Sequence, residues 1–303
     1  MPMRCSLTRM LSILMLTGAV LLFAGGCMKA GPPWPAITEP PTGIHTPGRW
    51  VWAELFTDNV DAAKTFYGEV FNWKFESTGA DKDAYTLVRA DGRPIAGIVH
   101  FAKPANAVRS ARWLALMSVA DVARTAEQAT ASGGKVIAAP RVIPGRGEVA
   151  VLADPEGALF GVIRAASGDP ADTFPSENAW LWRELWAKDA AKMAEFYRPL
   201  GAYTVVKQEG PGDRPELHLV AGGFPRAGVL EIERADVPST WLPYVRVKDL
   251  RQTVSAVERA GGRIIVPPSP EIRNGKVAVF LDPLGAAIAV AEWKDENEEE
   301  GKP

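Results

Sequence analysis

The sequence predicts an α+β protein built from two tandem copies, each containing two βαβββ units. Three observations carry this reading. The chain repeats itself: laying WVWAELFTDNVDAAKTFY, from Trp50, over WLWRELWAKDAAKMAEFY, from Trp180, brings Trp52 onto Trp182, Glu54 onto Glu184 and Phe66-Tyr67 onto Phe196-Tyr197. Trp113-Leu114 then meets Trp241-Leu242, Gly133-Gly134 meets Gly261-Gly262, and Asp154-Pro155 meets Asp282-Pro283, so the offset drifts only from 130 to 128 residues. Within each copy, strand-like alternation and helix-like periodicity recur twice in the same order. Finally, the phrase DPEGALFG at Asp154 returns as DPLGAAIA at Asp282. Its Asp, Pro and Gly suit a type I turn, and the apolar run that follows suits a buried strand.

In chain order, Trp50–Phe56 alternates and is rich in aromatics, which favours a strand. Asp58 or Asn59 can cap a helix whose apolar face is Ala63, Phe66, Tyr67 and Val70. Strands are expected at Trp73–Ser77, Tyr85–Arg89 and Ile95–Phe101. The series then restarts with a strand at Trp113–Val119 and a helix capped by Asp121, with Val122, Ala126 and Ala129 on one face. Gly133-Gly134 closes that helix, as Gly does at helix C-termini. Strands at Lys135–Ala138, Glu148–Ala153 and Ala158–Arg164 complete the first copy, and the stretch SGDPADTFPSEN links it to the second.

Paired βαβββ modules with a strand-to-helix phrase ending in Phe-Tyr, a Gly-Gly after the second helix and a DPxG turn before the last strand resemble the vicinal oxygen chelate superfamily. That superfamily includes glyoxalase I, bleomycin-resistance proteins and extradiol dioxygenases. The resemblance spans Gly48–Trp293 and implies that each copy folds into a curved mixed sheet around a cavity. It also implies where a metal would be held. One ligand position lies on the first strand, seven residues before the helix-capping Asp, and here holds Trp52 and Trp182. The matching position of the second module holds Leu114 and Leu242, and the position seven after the Asp of DPxG holds Gly161 and Ala289. None of these side chains offers N or O donors to a divalent ion. The expectation is therefore no metal and no cofactor. A reduced, relocated site from Glu54 with His100, or Glu184 with Glu231, is the enzymatic alternative, as a lyase, isomerase or dioxygenase.

What remains is a concave face lined differently. Strand alternation puts Trp52, Glu54, Phe56, Leu116 and Ser118 on it in the first copy, and Trp182, Glu184, Trp186, Tyr244 and Arg246 in the second. Aromatic walls with a few polar groups suit a small, flat organic ligand. A buried carboxylate needs a partner, and Arg246 is the expected one for Glu184. The expected ligand-binding residues are thus Trp52, Glu54, Phe56, Trp182, Glu184, Trp186, Tyr244 and Arg246, with no catalytic residue assigned. Arg183 is an exception to the pattern, because it falls on the face that should meet the helices. The rival readings are Trp residues that simply fill a core, and a scaffold of the cell envelope that uses the duplicated fold for protein contacts.

Composition narrows the partners. The 303 residues carry a net charge of −2 and no basic cluster interleaved with aromatics, which argues against nucleic acid. Residues 1–26 have Arg4 and Arg9 ahead of the apolar run MLSILMLTGAVLLFA, the pattern of a secretory signal. The run ends in Ala24-Gly25-Gly26-Cys27, which resembles the bacterial lipobox and implies that Cys27 becomes the lipidated first residue. Met28, rather than Asp, follows it, and implies an outer-membrane lipoprotein facing the periplasm after Sec export. Cys5 and Cys27 are the only cysteines, so cleavage would leave no free thiol. Residues 27–47 read as a lipid-anchored, Pro-rich spacer, residues 48–166 and 178–294 as the two domains, 167–177 as their linker, and 295–303 as an acidic tail. The oligomeric state stays open, and fusion of both domains in one chain allows a monomer.

Overall fold

The computed structural model describes residues 34–81, 84–103, 109–209 and 215–294. The expected signal segment, Cys27 and the acidic tail lie outside the described residues. Four βαβββ units follow one another. The first is β1 (Trp50–Thr57), α1 (Val60–Phe71), β2 (Lys74–Ser77), β3 (Thr86–Ala90) and β4 (Arg93–His100). The second is β5 (Ala111–Ser118), α2 (Val122–Ala131), β6 (Lys135–Ile143), β7 (Gly147–Ala153) and β8 (Leu159–Ala165). The third is β9 (Trp180–Ala187), α3 (Ala190–Leu200), β10 (Thr204–Glu209), β11 (Pro215–Ala221) and β12 (Phe224–Glu231). The fourth is β13 (Thr240–Val247), α4 (Leu250–Arg259), β14 (Arg263–Val266), β15 (Val277–Leu281) and β16 (Ala287–Glu292).

Each domain is one mixed eight-stranded sheet, ordered β2-β3-β4-β1-β5-β8-β7-β6 and β10-β11-β12-β9-β13-β16-β15-β14. The two antiparallel first strands of the paired units meet at the centre, with Trp52 opposite Leu116 and Trp182 opposite Tyr244. The helices start where a side chain can take an orphan N–H: Asn59 accepts from Ala62, Asp121 from Arg124, Asp189 from Lys192 and Asp249 from Gln252. Strand β6 runs five residues beyond its expected end at Ala138, to Ile143, because its irregular register against β7 carries it past two bulges.

The helical faces of the two sheets meet each other, and the repeated motifs are what join them. One core cluster combines the second unit with the third, and another the first unit with the fourth. The Tyr67 hydroxyl on α1 donates to Asp282 Oδ2 in the other domain at 2.8 Å, and accepts from Trp113 Nε1 at 2.8 Å. The Tyr197 hydroxyl on α3 donates to Asp154 Oδ2 at 3.1 Å and accepts from Trp241 Nε1 at 2.8 Å. The other carboxylate oxygen of each Asp fastens its own turn, Asp154 Oδ1 to the Ala158 N–H and Asp282 Oδ1 to that of Ala286, both at 2.8 Å. The Phe before each Tyr lies on the second Gly of the other domain's Gly-Gly pair. A Cβ at Gly134 would stand 3.0 Å from Phe196, and one at Gly262 3.1 Å from Phe66. Three separate sequence phrases thus form one reciprocal interface.

The unexpected Arg183 is buried at this interface. It sits over the Trp180 ring at 4.6 Å, and its Nη1 donates to the Trp182 carbonyl. Burial lowers its pKa to about 9.

Residues 34–48 do not stand away from the domains, which corrects the expected spacer over that stretch. Thr42 and Gly43 donate from their backbone N–H groups to Ser167 O, and Thr46 N–H donates to Asp169 Oδ2 at 2.6 Å. Ile37 is fully buried in the concave cluster of domain 1, with Trp34 packed beside it. The apolar side chains within the Pro-rich segment find a core to enter, and that outweighs the stiffness of the prolines.

Candidate functional site

The concave face of domain 2 centres on Glu184, on β9. Its Oε1 accepts from Trp186 Nε1 and from the Tyr244 hydroxyl, each at 2.8 Å. Its Oε2 is held by Arg273 Nη2 at 2.5 Å, and the same nitrogen reaches Glu216 Oε2 at 2.7 Å. Glu216 lies on β11, where His218 Nε2 stands 3.3 Å from its other oxygen, and the His218 ring packs on Trp182 at 5.3 Å. Both carboxylates are almost fully buried, whereas the side chains of Arg273 and His218 are 28% and 21% exposed. Solvent therefore reaches this cluster past its cations.

Electrostatics drives the two carboxyls apart. Burial raises the pKa of Glu184 above the usual range, against the opposing pull of Arg273. Burial also pushes Glu216 upward, but His218 and Arg273 outweigh it, and its carboxyl stands below that range. Burial and the adjacent Glu184 charge raise the Tyr244 phenol, which stays a proton donor at neutral pH. Arg273 comes from the turn between β14 and β15. It and Asn274 both adopt positive φ, 49° and 56°. Non-glycine residues hold that conformation at some cost, and such strain concentrates at functional sites.

Domain 1 repeats the plan in a sealed form. Trp52 Nε1 donates to Glu54 Oε1 at 2.9 Å, the Tyr85 hydroxyl donates to Glu54 Oε2 at 2.9 Å, and Arg146 Nη2 donates to the Tyr85 oxygen at 2.6 Å. Arg146 Nη1 is 3.6 Å from Glu54 Oε1. Trp52 is 0% and Arg146 1% exposed. Burial raises the pKa of Glu54, opposed chiefly by Arg146.

Of the expected residues, Trp182, Glu184, Trp186 and Tyr244 come together in one open cluster, and Trp52 and Glu54 in a closed one. Phe56 is half-buried on the same face as Trp52, edge-on to Phe101 at 6.2 Å. Arg246 is a correction. Its Nε donates to Trp293 O and its Nη1 to Pro175 O, while the guanidinium covers Phe174 at 4.7 Å, so it fastens the linker and the chain end. Arg273 pairs with Glu184 in its place. The relocated metal pairs are corrected too. Gly97 lies beside Glu54 and Gly228 beside Glu184. Alternation from those glycines puts His100 and Glu231 on the opposite sheet face. Glu231 there accepts from the Ala190 N–H at the start of α3.

Tyr85, Arg146, Glu216, His218 and Arg273 were absent from the expected set. One signal marks that something approaches closely at the places of Tyr85 and Glu216, without naming them: a mid-strand Gly in both copies, in AGIV (Ala96–Val99) and AGVL (Ala227–Leu230). Gly inside a strand marks a close approach. A Cβ at Gly97 would stand 1.7 Å from the Tyr85 oxygen, and one at Gly228 2.2 Å from Glu216 Oε1.

The residues present do not fit the metal centre that the fold implies. Trp182, Leu242 and Ala289 stand at its places in domain 2, and Trp52, Leu114 and Gly161 in domain 1, all without a donor atom suited to a divalent ion. Among the described residues, no three His, Cys, Asp or Glu side chains converge as ligands.

Comparison with known proteins agrees with this architecture. The model of the Glyoxalase/Bleomycin resistance protein/Dioxygenase superfamily matches twice, over residues 49–162 and 181–290. A Mycobacterium bovis protein named as a glyoxylase is 26% identical over 241 residues, covering 79% of this chain and 92% of its own. The anthracycline biosynthesis protein DauV of Streptomyces sp. is 29% identical over 265 residues, covering 82% and 94%. Among solved structures, the Mn(II)-bound glyoxalase of Novosphingobium aromaticivorans superposes with a TM-score of 0.55 at 16% identity, over 82% of this chain and 83% of that one. The 2,2',3-trihydroxybiphenyl 1,2-dioxygenase of Sphingomonas wittichii gives 0.53 at 17% identity, over 82% and 91%. With two tandem matches covering most of its length, and the paired βαβββ sheets to go with them, the chain belongs to the Glyoxalase/Bleomycin resistance protein/Dioxygenase superfamily.

Proposed function

We propose that this protein binds a small, flat organic molecule on the concave face of domain 2, without the metal centre usual in its superfamily. One observation carries the reading: where a metal would be held, domain 2 presents half-buried Trp182 and Trp186 around the Glu184–Arg273–Glu216 cluster, and that cluster reaches solvent. Tryptophan faces supply stacking area, and the cluster supplies oriented polar groups, the combination that small-molecule sites use. A relative named for anthracycline biosynthesis is in keeping with an organic ligand. The N-terminal segment is read as a lipoprotein leader that anchors the protein through Cys27 to the outer membrane, facing the periplasm. Cys27→Ser should release the protein from the membrane fraction.

The test is a screen of planar aromatic compounds, an anthracycline among them, read by quenching of Trp fluorescence. Truncating a buried aromatic anchor commonly costs about 2 kcal/mol of binding, a roughly thirtyfold loss. Trp182→Ala should weaken the best compound by that factor. Trp52→Ala, in the sealed domain, should lower stability while leaving affinity within about twofold. Equal losses of affinity from the two changes, or none from Trp182→Ala, would overturn the assignment to domain 2. Failure of every compound would favour the scaffold reading. A second reading, metal-free proton transfer, is favoured by the opposite displacement of Glu184 and Glu216, because paired groups pushed apart in pKa suit acid and base roles.

A further inference from the structure

Domain 1 holds a segment of its own chain where domain 2 is open. Trp34 stacks against Tyr85, with ring centroids 4.8 Å apart and planes inclined at 37°. The Arg146 guanidinium lies 5.7 Å from the Trp34 ring, 4.8 Å from Trp52 and 5.0 Å from Tyr85. Three aromatic rings therefore surround one cation, and one of the three comes from outside the domain. Ile37 completes the filling. We propose that the concave face of domain 1 is a second binding site, occupied by the Trp34–Ile37 segment as an internal ligand, and that a planar aromatic molecule bearing an anionic or carbonyl acceptor takes its place when the segment withdraws.

Two features support a site rather than a plain core. The first is Arg146 itself. Although Arg146 is 1% exposed, its Nε has no hydrogen-bond partner, and its Nη1 has only the 3.6 Å ion pair with Glu54. A buried guanidinium with unused donors is costly. The indole face gives it cation–π contact but no acceptor, whereas a ligand with an anionic or carbonyl oxygen beside its ring would supply both. That need sets the chemical class.

The second feature is how the segment is fixed. Its base is tied firmly: the Thr42 and Gly43 N–H groups to Ser167 O at 2.9 and 3.0 Å, Thr42 Oγ1 to Asp169 O at 2.7 Å, and the Asp169 N–H to Ile44 O at 2.6 Å. The tip is tied through the Trp34 N–H to Pro144 O at 3.1 Å and the partly exposed Arg89–Glu39 pair at 3.3 Å. A cleft of about 350 Å3 borders the segment, lined on one side by residues between Pro35 and Pro41 and on the other by residues of β2–β4, among them Leu87, Arg89 and Pro94. The tip can thus lift about a fixed base. The bond from Trp34 reaches the same β6–β7 turn that carries Arg146, so withdrawal of the segment frees the edge of the site as well as its centre.

The site is independent of domain 2, and 1-anilinonaphthalene-8-sulfonate, an aromatic anion, is the probe. In the full chain, Trp34→Ala with Ile37→Ala should tighten one probe site per chain at least tenfold over wild type, and Arg146→Gln in that background should reverse the gain. No tighter site, or one indifferent to Arg146→Gln, would overturn the proposal. Hydrogen exchange on the unmutated chain gives a test free of folding defects. Saturating probe should speed exchange of the Trp34 amide at least tenfold and leave Thr42 and Gly43 unchanged. Unchanged exchange at Trp34, or equal acceleration at all three, counts against it.

Discussion

Replacing Arg273 by Gln should make the stability of this protein fall more steeply with rising pH than that of the unmutated chain. One nitrogen of Arg273 stands 2.5 Å from Glu184 and 2.7 Å from Glu216, so the two carboxylate oxygens are at most 5.2 Å apart (2.5 + 2.7). At that separation and an effective dielectric of about 20, two like charges repel by about 3 kcal/mol. Arg273→Gln removes the cation the two carboxyls share, and the neighbour that remains, His218, touches only Glu216. Glu184, whose carboxyl burial already raises, then takes up a proton most readily. A carboxyl whose folded pKa rises above its unfolded value stabilises the fold at low pH, and loses that contribution as pH climbs through the folded value. The variant should therefore be destabilised by about 3 kcal/mol at pH 8 and by much less at pH 5. Urea denaturation at both pH values, followed by Trp fluorescence, measures it. A loss of the same size at both would mean that Arg273 acts through packing, and would refute the electrostatic account of the cluster.

Tyr197→Phe removes a donor from Asp154 and the acceptor of Trp241 Nε1 at one stroke, all of them buried. The expected loss is about 3 kcal/mol in urea denaturation. Tyr67→Phe should do the same, and because the two locks share no partner, the double variant should lose about the sum. A loss below about 1 kcal/mol for either change would show that the hydroxyls do not hold the domains together. Burial raises Asp154 from 3.8 to about 6, equivalent to about 3 kcal/mol. Stability attributable to Asp154 is thus full below pH 4 and declines as pH rises to about 6. Asp154→Asn should flatten that part of the stability profile, and an unaltered slope would contradict the shift.

The repeat made the fold legible, because each motif could be checked against its copy. Alternation along Trp50–Phe56 and Trp180–Trp186 correctly put two Glu residues on concave faces, since those strands are central and their side-chain period is two. Their partners were not legible. Arg273 and Arg146 come from the turns that join an edge strand to the next, Glu216 from β11 and Tyr85 from the residue before β3, each two strands away from the Glu it meets, and only three-dimensional register brings them to Glu184 and Glu54. Arg246 had the right strand parity but lies near the strand end, where the linker and Trp293 compete for it. The role of Trp34 and Ile37 was hidden for a different reason. Prolines on either side gave the stretch the composition of a solvated linker, and composition does not reveal that two apolar side chains have a cavity to fill.

The crossed Tyr–Asp contacts have a consequence for how such a chain could have arisen. In neither copy does the Tyr hydroxyl donate to its own DPxG carboxylate; each donates to that of the other. Two separate identical copies would make the same pair of bonds about a two-fold axis, as an isologous homodimer does. A fusion of two such copies would need no new interface, only a connector such as residues 167–177. Once joined, the halves would be free of the constraint that one sequence serve both positions. The domains would keep their mutual grip through the chemistry they share at the back while their concave faces differ, one toward solvent and the other around a piece of its own chain.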